Sequence, residues 1–260
     1  MKSALNTEVS NYIKTNKNSI MKNLILKSTA LLFILTLSFG CSYAQKVKGN
    51  GNSVNKTRNV GSFDAVAVAG SFDVYLVEGD EGKLDITVEE NLEAYLITEV
   101  NDGTLKIKWK NGVNIRTSSK TEITVHFKNI NSLAMAGSGD IVGKDKIKGN
   151  SLKVAVAGSG DIKVEIDVQE IETAVSGSGD VELSGSATEF EAAVSGSGDV
   201  DASDLKVEKA ELKISGSGSI GANVESELVA RVSGSGNIKY KGNPRIEDIK
   251  VSGSGKISNY

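Results

Sequence analysis

Four aspartates stand at the same place in successive copies of one short word. Asp140, Asp161, Asp180 and Asp199 each close the sequence Gly-Ser-Gly-Asp, at intervals of 19 to 21 residues. Carboxylates are hard oxygen donors suited to calcium, and glycine-aspartate repeats occur in calcium-binding β-rolls. A calcium ladder is one chemistry these residues could support. The other is structural: a solvated aspartate that hydrogen-bonds its own corner as an Asx-type turn. The period near 19 residues differs from the roughly nine of those rolls. The column also continues as Ser219, Asn237 and Lys256. Both points favour the turn.

Other residues with chemical potential are few. The single histidine, His126, lies in the alternating stretch TEITVHF and reads as a structural, hydrogen-bonded side chain rather than a base. The single cysteine, Cys41, sits in an export segment, which leaves neither a cysteine nucleophile nor a zinc set. GSGSIG, with Gly216, Gly218 and Gly221, has the letters of a dinucleotide loop, but that loop needs a helix to follow it and a strand is expected here. The pairs Asp199/Asp201 and Glu189/Glu191 have the spacing of residues that polysaccharide-cleaving β-helix enzymes use. Strand alternation produces such pairs by default, and no basic cluster marks a cleft around them. No catalytic residue, cofactor or required metal is expected.

The elements that would position these groups follow from the repeat. First glycines stand at Gly137, Gly158, Gly177, Gly196, Gly216, Gly234 and Gly253, and second glycines at Gly139, Gly160, Gly179, Gly198, Gly218, Gly236 and Gly255. Two residues before each first glycine is an apolar residue (Met135, Val156, Val175, Val194, Ile214, Val232, Val251). Four residues after it is another (Ile141, Ile162, Val181, Val200, Ile220, Ile238, Ile257). Apolar residues at every second position are the mark of a strand with one buried face. Each period is therefore strand, corner, strand. One such unit cannot bury its own inner face, but a stack of them can. The spacing predicts an all-β, right-handed parallel β-helix of about 19-residue coils, with glycine supplying the positive φ of each corner.

The regular repeats occupy 131–260. Residues 46–130 read as a less regular β-rich region of decorated coils or a cap, with VAVAGSFDVYL as a degenerate coil around Gly70 and NDG at 101–103 as a hairpin turn. A cap is needed because an open end presents unpaired strand edges. At the far end, Lys250 and Lys256 place charge near the edge.

Composition narrows the function classes. The chain has 260 residues, a net charge of −3, 28 glycines and one proline. That balance gives no electrostatic case for nucleic acid or an anionic membrane surface. With aromatics at 5%, a base-stacking platform is not expected either. From Met21 the chain has the layout of a secretory signal peptide over 21–44, leaving 1–20 as an extension and Met21 as the expected start. Two processing readings fit: soluble export with cleavage after Ala44, or a lipid anchor on Cys41 after LSFG. The apolar run Ala30–Phe39 is shorter than the roughly 20 residues of a permanent span.

SFDAVAVAGSFDVYLVEG, TEVNDGTLKIKW and the serial VSGSGDV coils together resemble the auto-transporter adhesin head GIN domain family. The resemblance covers essentially all of the chain after the signal segment. It implies a secreted or envelope-located bacterial protein with a β-helical fold and an adhesive role, and it brings no catalytic residues. A membrane-spanning barrel, the other half of an auto-transporter, has no counterpart in this sequence.

The function expected is a non-enzymatic, adhesin-like binding or scaffold module for a surface glycan or protein. Its outward columns include Ser176, Ser195, Ser215, Ser233 and Ser252, and its anchor candidates are Tyr75, Tyr95 and Trp109, the last also suited to the core. The alternatives are a polysaccharide-acting enzyme and a structural envelope protein without a ligand.

Overall fold

The computed structural model describes residues 45–260. The extension, the signal segment and Cys41 lie outside the described residues. Among the described residues, strands dominate at 73%, against 1% helix.

In chain order the strands are β1 (Gln45–Lys48), β2 (Ser53–Asn59), β3 (Ala65–Gly70), β4 (Asp73–Glu78) and β5 (Lys83–Glu89). A single 3-10 turn (Glu93–Tyr95) leads to β6 (Leu96–Asn101), β7 (Thr104–Trp109), β8 (Val113–Arg116) and β9 (Glu122–Phe127). Then come β10 (Ser132–Gly137), β11 (Asp140–Gly143) and β12 (Ile147–Gly158). Four long strands follow: β13 (Asp161–Gly177), β14 (Val181–Gly196), β15 (Val200–Gly216) and β16 (Ser219–Gly234). β17 (Asn237–Lys241), β18 (Arg245–Gly253) and β19 (Lys256–Asn259) end the described chain.

The long strands run from one corner to the next and bend between. In β13, Ile162, Val164, Ile166 and Val168 are buried at every second place; then Gln169 and Glu170 are both exposed, and the alternation resumes at Ile171. Two outward residues in succession mark the place where the coil turns and the inward phase is reset. Stacked in register, these bent strands make a parallel β-solenoid of about seven turns. Two ladders flank the corners. The pre-corner ladder joins β7, β3, β10, β12 and the second halves of β13 to β16, and ends at β18. The post-corner ladder joins β9, β4, β11 and the first halves of the long strands, and ends at β17 and β19.

The core is a set of aliphatic columns inside the coils. Val154, Thr173, Ala192, Leu212 and Ala230 form one such in-register column, and Leu152, Ile171, Phe190, Ala210 and Leu228 another. Phe190, only 1% exposed, is followed one coil on by Ala210, so a large ring is accommodated by a small neighbour.

The order of coils in space departs from the order in sequence. The β3–β4 coil lies between β10–β11 on one side and β7–β9 on the other. After β4 the chain runs outward to build that last coil, then β10 returns onto β3. Antiparallel strands cover the outside: β5 pairs β9, β2 pairs β5, and β6 pairs β7. The β6–β7 hairpin turns at Asp102 (φ 50) and Gly103 (φ 73), the two positive φ values of a tight hairpin turn.

The corner explains why both glycines are there. Gly177 has φ 134, a region that side chains resist. Gly179 has no such φ; instead a Cβ there would land on the carbonyl oxygen of Gly160 and within 2.9 Å of Val156 Cγ1. The carbonyl of Gly158 accepts both the Ser178 amide (2.8 Å) and the Gly179 amide (3.1 Å). The second glycine thus serves close stacking between coils rather than positive φ.

Candidate functional site: the outer ladder faces

The aspartate column is a structural ladder. Asp161 Oδ1 accepts the backbone amide of Asp180 (2.8 Å), Asp180 Oδ1 that of Asp199 (2.8 Å), and Asp199 Oδ1 that of Ser219 (2.7 Å). Each carboxylate therefore bonds the next coil, not its own corner as an Asx turn would. The correction has a simple cause: stacking puts the next amide nearer than the amide two residues ahead. Asp140 stacks between Asp73 and Asp161, and Lys120 Nζ reaches Asp73 at 2.7 Å. Among the described residues, no three His, Cys, Asp or Glu side chains gather as a metal site.

The other acids are engaged differently, Asp201 by an amide two residues ahead as in an Asx turn and Glu189 by an ion pair. Asp201 accepts the amide of Ser203 (3.0 Å), and Glu189 faces Lys209 (3.9 Å). His126 Nε2 pairs with Asp85 Oδ2 at 3.0 Å. The Asp85 carboxyl is drawn down to about 2 by hydrogen bonds from Lys83 first and His126 next, against the opposing effect of burial. Gly216, Gly218 and Gly221 lie at and just beyond a corner that leads into strand β16, so the loop-to-helix geometry of a dinucleotide site is absent there.

Of the three aromatic anchors, Trp109 packs on the core, its ring 4.9 Å from that of Phe72. Tyr95 is half-buried at the end of the 3-10 turn. Tyr75 lines a cavity of about 350 Å³ on the post-corner face, with Asp85, Glu122 and Thr124, and lies 4.5 Å below Lys144 Nζ.

The pre-corner ladder carries the most regular outward surface. Ala136 and Ala157 lead into Ser176, Ser195, Ser215, Ser233 and Ser252, all in one register column. Beside it runs a column of Ala134, Ala155, Ala174 and Ala193, which changes to Lys213, Arg231 and Lys250. The last four coils of this face line a groove of about 870 Å³. The basic column was missed in the sequence, although stepping back two residues from each serine finds it.

A sequence model of the family described as "Putative auto-transporter adhesin, head GIN domain" matches residues 62–244. The chain belongs to this family. The GIN-domain match takes in β3 through β17, cap strands and coils alike. Three solved structures share the fold. A "putative adhesin" from Bacteroides fragilis NCTC 9343 is 25% identical with a TM-score of 0.77, over 82% of this chain and 100% of that one. A "putative adhesin" from Parabacteroides merdae ATCC 43184 is 25% identical with a TM-score of 0.68, over 84% and 100%. A "putative lipid binding protein" from Parabacteroides distasonis ATCC 8503 is 28% identical with a TM-score of 0.67, over 83% and 100%. No functionally curated protein matches the chain. Membership of an adhesin-like GIN family agrees with what the side chains show: carboxylates spent on backbone amides and on ion pairs, and broad ladder faces outside. Among the described residues, no helix is long and apolar enough to cross a membrane.

Proposed function

We propose that the protein is a non-enzymatic, adhesin-like module of the cell envelope that holds a surface glycan or protein against its pre-corner ladder. The observation that carries this reading is the repetition of small outward side chains, alanine and then serine, in register from coil to coil. Such a face offers the same weak contact many times, and contacts linked on one rigid body add in affinity without any deep pocket. The family and the neighbours described as adhesins support a surface partner. Export through 21–44, with soluble release or a lipid anchor on Cys41, would deliver the module there.

Arrays of glycans and matrix proteins probed with the full chain test the reading. Specific capture that is lost in a Ser176→Arg/Ser195→Arg variant with unchanged melting temperature is the expected result. Capture that survives those bulky charges would place the contact on another face, and no capture at all would remove the adhesive role.

A further inference from the structure

We infer that the cavity on the outer face of β4, β9, β5 and β2 binds a single neutral sugar ring. It lies on the post-corner side, shares no residue with the alanine and serine strip, and does not depend on that reading.

The four strands lie side by side in the order β4, β9, β5, β2, and their registers set two lines of side chains across the outer face. Tyr75, Thr124, Asp85 and Thr57 form one line, and Glu122, Thr87 and Asn55 the other. Lys56 and Ile86 also border the cavity, but they stand in the alternate register, where Ile86 is buried, so what they offer is backbone. The volume of about 350 Å³ is at the small end for ligand sites. Every wall is a hydrogen-bonded strand, which fixes the groups before a ligand arrives.

Glu122 carries the argument. It stands in the aspartate column, in register with Asp73, Asp140 and Asp161. From Asp161 onward, the carboxylates of that column are spent on an amide of the next coil. Beside Glu122 the next strand is instead the antiparallel β5, which presents Thr87, and the Thr87 hydroxyl donates to Asn55 Oδ1 (3.0 Å). Among the described residues, the half-buried Glu122 carboxylate is therefore left without a hydrogen bond or ion pair. The hydroxyls of Thr124 and Tyr75 and the Asn55 Nδ2 donor are equally unbonded there. Asp85, by contrast, is filled: Thr57 donates to one oxygen (3.0 Å), while Lys83 (2.9 Å) and His126 (3.0 Å) hold the other.

The unbonded groups define the ligand. An acceptor-only carboxylate, an amide donor and two hydroxyls that can do both match the hydroxyls of a sugar, each of which donates and accepts. Tyr75 adds apolar surface. Lys144 Nζ stands 4.5 Å over one face of its ring, and the rest of the ring is left for the C–H side of a pyranose, in the pattern of an aromatic wall with a few placed polar groups. The nearby cations are already taken, Lys83 by Asp85, Lys120 by Asp73 (2.7 Å) and Lys144 by the tyrosine ring. An anion would therefore meet the unpaired Glu122, which a neutral ligand uses as an acceptor.

The test is a ligand-observed NMR titration of the full chain with the methyl glycosides of glucose, galactose, mannose and N-acetylglucosamine, beside tetramethylammonium (charge without hydroxyls). At least one glycoside should bind, with affinity unmoved by salt. Glu122→Ala should lower that affinity at least about tenfold, the loss of a charge-assisted hydrogen bond, and Thr124→Val and Tyr75→Leu several-fold. The Glu122 and Thr124 side chains bond nothing in the fold, so both variants should keep the parent melting temperature. Binding by none of the glycosides, or affinity unmoved by Glu122→Ala, would overturn the proposal. Tighter binding of tetramethylammonium than of every glycoside would overturn it in favour of a cationic ligand. Ser176→Arg/Ser195→Arg should leave glycoside binding unchanged, so the two readings fail separately. Array capture lost in Glu122→Ala but kept in the serine variant would support this cavity and remove the ladder contact.

Discussion

Glu89 is the most demanding single residue in the molecule. Its carboxylate is fully buried and accepts amides from Gly51 (2.6 Å), Ser118 (2.8 Å) and Ser119 (3.4 Å). Burial alone would push its pKa up, but those three amides, together with Lys48, hold it below the ordinary value. A Cβ on Gly49 would land on the same carboxylate, so the residue ties the segment before β2 and the loop before β9 to the end of β5. Because the folded pKa is depressed, the stability this group contributes is complete above the unfolded value of about 4.3 and is lost as pH falls through the folded value. Glu89→Gln keeps the volume but turns an amide donor toward backbone donors, and should cost about 1–3 kcal/mol at neutral pH. Thermal melts of both proteins across the acid range should converge as pH falls; parallel curves would sink the assignment. None of this was legible beforehand, because the cradle is assembled from segments 29 to 38 residues away in sequence. The corner glycines were legible as corners, since their spacing is local and repeated. What the aspartates do beside them was not: their partners lie 19 or 20 residues ahead and become neighbours only once coils stack.

At the scale of elements, alternation and the corner period mark the strands well, because both are properties of a single chain segment. They do not say which strand a given strand stacks upon. Between Gly70 and Gly137 no corner word occurs, and there the chain builds the β7–β9 coil outside the earlier β3–β4 coil. Alternation in TLKIKWK and TEITVHF suits a coil strand and a cap strand equally; the pairings that decide between them are long-range. The columns also contain one misfit. Thr173 faces inward between Val154 and Ala192, is 1% exposed, and its hydroxyl finds no partner among the described residues. A buried hydroxyl without a hydrogen bond costs roughly 1–3 kcal/mol, and valine has nearly the same shape. Thr173→Val should therefore raise stability by about 1 kcal/mol, read as a higher denaturant midpoint with unchanged slope. A lower midpoint would mean that the hydroxyl is satisfied in solution, by a water held between coils.

For the whole molecule, stability should follow the stacking. In a solenoid each coil contacts only its neighbours, so stability is close to a sum of coil terms and nearest-neighbour interfaces. The two ends are unequal in this respect. At one end β9 and β7 are covered by β5, β2 and β6. At the other, among the described residues, β18 pairs only with β16 and β19 only with β17, and Ile246, Ile249 and Val251 stay 47%, 38% and 44% exposed. Lys250 and Lys256 lie on these half-paired strands, a common way to discourage edge-to-edge association. The last coil thus has one interface where β13 to β16 have two, and less of its apolar surface is buried. Opening should be easiest there and hardest in the middle of the stack. Native-state hydrogen exchange should show amides of β18 and β19 exchanging at least tenfold faster than those of β14 and β15, with no comparable gradient toward the covered end. Uniform protection from β13 to β19 would mean that the coils open together, and the nearest-neighbour picture would have to be given up.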